Sequence, residues 1–195
     1  MKRLESITDS KLIAKCWTMK TIKKKADNAI AIFLPIEEFK NLFERMYELC
    51  EAEGWGDPFS YARSREIHIA GTLKHKVSDT LSGADGIDED GECEYKSTIG
   101  KSISGTYNGI SVYPTWEEQE KYLLEEKIAK YKNHYIARYK GGKIVEIWKL
   151  IGMDVFNILL PKLKKSFSNL SNKKDPRLGA SLTKKDIYEH GVKIR

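Results

Sequence analysis

The chain of 195 residues is poor in the features that mark several large protein classes. Its longest apolar run, Ala29 to Pro35, falls far short of the roughly 18–20 residues a membrane span requires. Met1 to Asp9 alternates charged and apolar residues, so no secretory signal is expected. Cysteine is scarce and odd in number: Cys16, Cys50 and Cys93 lie far apart and form no CxxC pair. Neither a disulfide framework nor a structural zinc is expected from them, and a cytoplasmic chain with free thiols is the simple reading. There is no Gly-rich phosphate loop, no GxSxG, no internal repeat and no low-complexity tract. The four histidines, His68, His75, His134 and His190, have no metal-ligand spacing, and none is assigned a catalytic role.

What is present is enough for one folded domain. Apolar residues make up 41% and aromatics 10%, which rules out disorder throughout. The net charge is +6 and is unevenly placed. From Lys162 to Arg195 ten basic residues face only Asp175, Asp186 and Glu189, so this segment carries +7 and the rest −1. A one-sided basic segment points to a polyanion, most often nucleic acid. A solvated lysine-rich surface accounts for the charge equally well.

The periodicities alternate between helix and strand. Ile36, Phe39, Leu42, Phe43, Met46, Leu49 and Cys50 fall at helical spacing over 36–53, closed by Gly54. Asp57-Pro58 suits the start of a second helix running to about Leu73. Residues 83–97 read as a hairpin around Asp88-Glu89-Asp90-Gly91, followed by a polar, Gly-rich loop from Ser97 to Pro114. Thr115 and Glu118 form a capping box for a helix to about Lys132. His134 to Lys140, Gly141-Gly142 and Lys143 to Leu150 make a second hairpin. Asp154 is expected to cap a further helix that Pro161 bends or ends. Asp175 to Thr183 carries turn chemistry, and Thr183 to Asp186 opens a short helix stopping at Gly191. This order predicts an α/β or α+β domain with a central mixed sheet flanked by helices.

The residues with chemical promise are Glu94-Tyr95-Lys96. ExK occurs twice more, at Glu38-Phe39-Lys40 and Glu125-Glu126-Lys127, both in expected helices where the charges are solvated. In a strand, alternate side chains share a face, so Glu94 and Lys96 point together. With a two-residue turn at Glu89-Asp90 or Asp90-Gly91, Asp85 and Ile87 share that face. Two adjacent carboxylates are costly unless protonated or bridged by a cation. Mg²⁺ is a common bridge, and the lysine can orient a water or neutralise phosphate charge. Gly83 and Gly86 leave room beside Asp85 for a substrate backbone. For the triplet alone, a surface hairpin of solvated charges is the simpler reading. Glu66 adds to it: on the helix from Phe59 to Leu73 it interrupts an apolar stripe of Ala62, Ile69, Ala70 and Leu73. Such an acid is either satisfied by a nearby Arg or Tyr, or faces the same cation as Asp85 and Glu94.

Glu66, then Gly83-Ala84-Asp85-Gly86-Ile87, then Glu94-Tyr95-Lys96 resembles the PD-(D/E)xK nuclease superfamily over residues 58–150, with Ala84 in place of the family's proline. The resemblance implies one nuclease domain over 1–195 with a restriction-endonuclease-like core, the basic segment 162–195 appended. It implies Mg²⁺-dependent phosphodiester hydrolysis with Asp85, Glu94 and Lys96 at the active centre and Glu66 joining the metal set. Among its branches the chain looks most like a Type II restriction endonuclease, a homodimer that cuts double-stranded DNA at a specific site. A structure-specific nuclease, of Holliday-junction resolvase or repair type, shares the same residue set, and a non-enzymatic DNA-binding protein is the remaining alternative. The loop after Lys96 supplies candidate DNA contacts in Lys101, Ser104, Tyr107 and Asn108, and the basic segment supplies Lys173, Lys174 and Arg177.

Overall fold

The structure is a computed structural model that describes residues 10–79, 83–170 and 177–195. It divides into two compact units between Leu49 and Cys50. The first is built on α1 (Ser10–Ala52). The helix expected over 36–53 is the end of this longer one, which passes through Pro35. Proline removes one intrahelical hydrogen bond and is favoured at helix starts, which is why the sequence pattern alone places the start after it.

In the second unit the Asp57-Pro58 expectation is corrected. Asp57 Oδ1 accepts from the Phe59 N–H at 2.9 Å and Oδ2 from the Ser60 hydroxyl at 2.8 Å. That local turn takes up the capping carboxylate, and α2 begins only at Arg63, ending at Leu73. Six strands form the main sheet: β1 (Lys76–Val77), β2 (Gly86–Asp88), β3 (Gly91–Thr98), β5 (Asn133–Lys140), β6 (Lys143–Ile151) and β8 (Val192–Lys193), in that spatial order. Only β3 and β5 run parallel, so the sheet is mixed. The expected sheet flanked by helices is what the chain adopts.

The stretch from Ser97 to Pro114 is not all loop. It contains β4 (Gly105–Ile110), paired antiparallel with β7 (Leu178–Leu182), a strand within the segment read as turns. Neither strand has a strong apolar alternation; each exists because the other pairs with it. The Thr115 capping box is present, opening α3 (Trp116–Tyr122), but the helix continues as a π turn, Leu123–Lys127. The wider turn carries Leu123 and Ile128, five residues apart, into the core together. Helix α4 (Gly152–Phe167) has Ile151 at its capping position, so Asp154 lies in its first turn instead of capping it, and Pro161 sits inside it. The Thr183 capping box opens α5 (Lys184–His190) before Gly191.

The two sheet faces carry separate cores. Strand β5 is buried on both faces, as a strand in mid-sheet must be. Ile136 and Leu150 pack with Tyr107 of β4, Leu178 and Leu182 of β7, and Val155, Leu159 and Leu163 of α4. Ile69 and Ala70 of α2 pack on the other face with Cys93, Tyr95, Tyr135, Ala137 and Ile147. Cys50 and Cys93 are buried free thiols. No helix among the described residues is long and apolar enough to cross a membrane.

Candidate active site

The hairpin closes on a two-residue turn, Glu89-Asp90, with Gly86, Ile87 and Asp88 opposite Cys93, Glu92 and Gly91. The ladder ends at Gly86, and Asp85, the residue before it, is close enough to Glu94 and Lys96 for both charges to act on its carboxyl. Asp88 and Asp90 are used to fix the turn. Asp88 Oδ2 accepts from Asn133 Nδ2 and the Tyr135 hydroxyl, both at 2.8 Å, and Asp90 Oδ2 accepts from Asn133 Nδ2 at 2.9 Å. Burial alone would push the Asp88 carboxyl up, but these donors hold it below the usual range.

Beyond Cys93, β3 outruns β2. The backbone N–H of Asp85 still donates to the Cys93 carbonyl at 3.1 Å, and then Asp85 Oδ2 itself accepts the Tyr95 N–H at 2.8 Å. A side chain thus takes the place of the missing strand, and the carboxylate is held at the point where the ladder opens. Gly86 has a different task from the one expected. A Cβ there would lie 2.2 Å from the Tyr95 hydroxyl, so the glycine makes room for the Tyr95 ring instead of for a substrate backbone. Tyr95 is fixed in turn by His75, whose Nδ1 lies 3.0 Å from the phenol oxygen.

Lys96 is ion-paired with Glu94 and sits over the Tyr107 ring, 5.1 Å from its centre. The expectation of Tyr107 on a DNA-facing loop is corrected: its ring is buried in the core, where Ile103 and Ile110 draw β4 inward. Its hydroxyl lies 2.8 Å from His134 Nδ1, and His134 Nε2 lies 3.0 Å from the Ile128 carbonyl. A carbonyl only accepts, so Nε2 carries the proton, Nδ1 accepts, and Tyr107 donates. Burial keeps His134 neutral by pushing its pKa down to about 4. His134 is the β5 neighbour of Glu94. Nothing local in the sequence links residues 94, 107 and 134; the parallel pairing joins Glu94 to His134, and the hydroxyl of Tyr107 joins it to them.

Glu66 has the partner that the first of its two readings requires. It pairs with Arg63 at 3.4 Å, and Arg63 is buried, donating Nε to the Trp55 carbonyl at 2.7 Å. It also adds negative potential at Asp85 and Lys96. Burial, then Glu94, then Glu66 push the Asp85 carboxyl up to about 7, against the pull of Lys96. Burial opposes the charge on Lys96, but Glu94 and Asp85 outweigh it and raise its pKa.

A hollow of about 410 Å³ brings Glu66, Lys96, Thr106 and Asn108 together. Asn108, a candidate DNA contact, thus shares a hollow with Lys96. Lys101 is exposed and lines a second hollow, and Ser104 is half-buried beside Ile103. Arg177 lies against β4, its Nη1 3.6 Å from where a Cβ on Gly109 would stand. Lys173 and Lys174 lie outside the described residues.

Among the described residues no three His, Cys, Asp or Glu side chains form a ready cage for an ion. The donors that remain are two carboxylates, Asp85 and Glu94, with Glu66 held back by Arg63. Two oxygen donors of like charge suit a hard cation that keeps several of its waters, and not a soft one that needs N or S ligands. No protein-family model matches this chain, and no curated protein matches it.

Proposed function

We propose that this protein is a Mg²⁺-dependent, site-specific endonuclease of double-stranded DNA, of the Type II restriction kind, acting in the cytoplasm as a homodimer. The observation that carries this reading is the gathering of Asp85 with the ion-paired Glu94 and Lys96 where β3 leaves β2, with Lys96 opening onto the hollow that Glu66 and Asn108 also line. The raised Asp85 carboxyl supports it, since crowded negative charge is what a divalent cation relieves. Asp85 and Glu94 would hold Mg²⁺, which supplies Lewis-acid stabilisation of charge on the phosphate. Lys96, charged at neutral pH and steadied by the Tyr107 ring, orients the attacking water or offsets the charge that builds on the phosphate. Tyr107 and His134 hold the ring beneath it without touching substrate. Asn108 offers donors and an acceptor to a base or phosphate. Two copies supply the two centres that cutting both strands requires.

Digestion of phage DNA with and without Mg²⁺ is the direct test, with discrete bands expected only with the metal. Glu94→Ala and Lys96→Ala are each expected to reduce cleavage by several orders of magnitude while DNA binding survives, because groups that act in the transition state contribute to kcat more than to ground-state affinity. Near wild-type cutting by either variant removes this active centre.

A further inference from the structure

Several lysines of the second unit are matched to acids. Lys130 pairs with Glu92, Lys132 with Asp90, Lys149 with Glu89 and Asp90, and Lys162 with Asp186. Among the basic residues without such a partner, one group is gathered in a single place. Arg65 of α2, Lys101 after β3, and Lys140 at the end of β5 line a common hollow of about 630 Å³, and none has a carboxylate within ion-pair distance among the described residues. Arg138 lines it too, already held by Glu146. The volume falls within the roughly 300–1,000 Å³ of ligand-binding hollows. Its floor includes the Gly141-Gly142 turn, whose φ values of 55° and 75° suit glycine and whose Cβ positions meet nothing within 4 Å. A ligand backbone can approach the chain closely there.

Arg65 lines this hollow and also the one that holds Glu66, Lys96 and Asn108. The two are therefore neighbours that share Arg65 in their walls.

We propose that the basic hollow between α2, the turn after β3 and the β5–β6 turn is a phosphate track. It receives the strand of nucleic acid that continues from the site beside Lys96. The identity of that strand rests on the nuclease reading; the polyanion character rests on Arg65, Lys101 and Lys140 alone. A chain of phosphodiesters spans both hollows at once, whereas a free phosphate occupies only one. The track holds phosphates and carries no sequence information, so it sets affinity and register and leaves base reading to other residues.

The test is anisotropy of a labelled DNA duplex, titrated with the full-length protein in chelator over a range of salt. For the triple variant Arg65→Ala, Lys101→Ala, Lys140→Ala the slope of log K against log salt is expected to become shallower by about 2.7, at about 0.9 for each phosphate no longer neutralised. Lys121→Ala with Lys76→Ala, both ion-paired elsewhere, is expected to leave the slope unchanged. If the triple variant melts early, Lys101→Glu with Lys140→Glu, both at exposed positions, carries the same test. An unchanged slope in a folded variant overturns the track and leaves the nuclease reading standing. A lowered slope in a protein that never cleaves with Mg²⁺ overturns the nuclease reading and leaves the track standing. Absence of duplex binding overturns the track, as does binding of inorganic phosphate with the same dependence on these residues but no binding of duplex.

Discussion

Asp85 combines two demands on one carboxylate. It accepts a backbone N–H that no strand is there to accept, and it lies within the field of the Glu94 carboxylate. An aspartate in an unfolded chain titrates near 3.9. Here burial and the neighbouring acids raise the folded value to about 7. The folded state therefore keeps a proton that the unfolded state has lost between about pH 4 and pH 7. Stability from this group is fully present below about pH 4 and is lost as the pH rises through 7. With metal removed by chelator, Asp85→Asn keeps the acceptor for Tyr95 and removes the charge. It is expected to raise stability at pH 8 by a few kcal/mol, since each tenfold change in proton affinity corresponds to about 1.4 kcal/mol, and by little at pH 4. Urea unfolding at the two pH values measures this, and an equal effect at both removes the charge conflict. Asp85, Glu94 and Lys96 are legible in the sequence because strand alternation and a short turn are local. Tyr107 and His134 are not, since their bond depends on a pairing formed 27 residues apart. The partner of Glu66 stands in plain sight three residues earlier, but the late start of α2 decides that Arg63 turns inward.

At the scale of elements, local chemistry is readable and long-range pairing is not. Thr115 and Thr183 each cap a helix through bonds that span three residues. The Gly141-Gly142 hairpin follows from its own turn. Strands β4 and β7 have no such signature, because Gly105 pairs with Leu182 across most of the second unit. The first hairpin depends on a close fit of a different sort, the Tyr95 ring over Gly86. With the phenol held by His75 the ring cannot swing aside at low cost. Gly86→Ala is expected to destabilise by about 1–3 kcal/mol, the usual range for overpacking. In a Tyr95→Ala background the same change is expected to cost almost nothing. A double-mutant cycle by chemical denaturation checks this, and an additive result means that the glycine serves some other purpose.

At the scale of the molecule, the mixed sheet with flanking helices is legible from the order of elements, whereas the placing of charge is not. The basic residues that matter to the proposed track come from three separate segments, 65, 101 and 140, and only one of them follows the triplet closely in sequence. The apolar residues of α1 raise the remaining question. Ile36, Phe39, Phe43 and Met46 repeat at intervals of three, four and three, and all are exposed, Phe39 by 69%. That is the spacing of a helix seam that packs against another helix, and charged residues such as Glu37, Lys40, Glu44 and Arg45 lie between them. An exposed apolar stripe of this kind is unfavourable in water. The proposed homodimer gives it an occupant, a second copy of the same helix. Light scattering is then expected to give twice the mass of the chain, falling toward the single mass on dilution. Phe39→Glu with Phe43→Glu is expected to yield a folded monomer. Each monomer retains one active centre, so on supercoiled plasmid it should accumulate nicked circles where the wild type gives linear product. A wild-type protein that is monomeric while it linearises plasmid, or a double variant that remains a dimer, removes this seam from the interface.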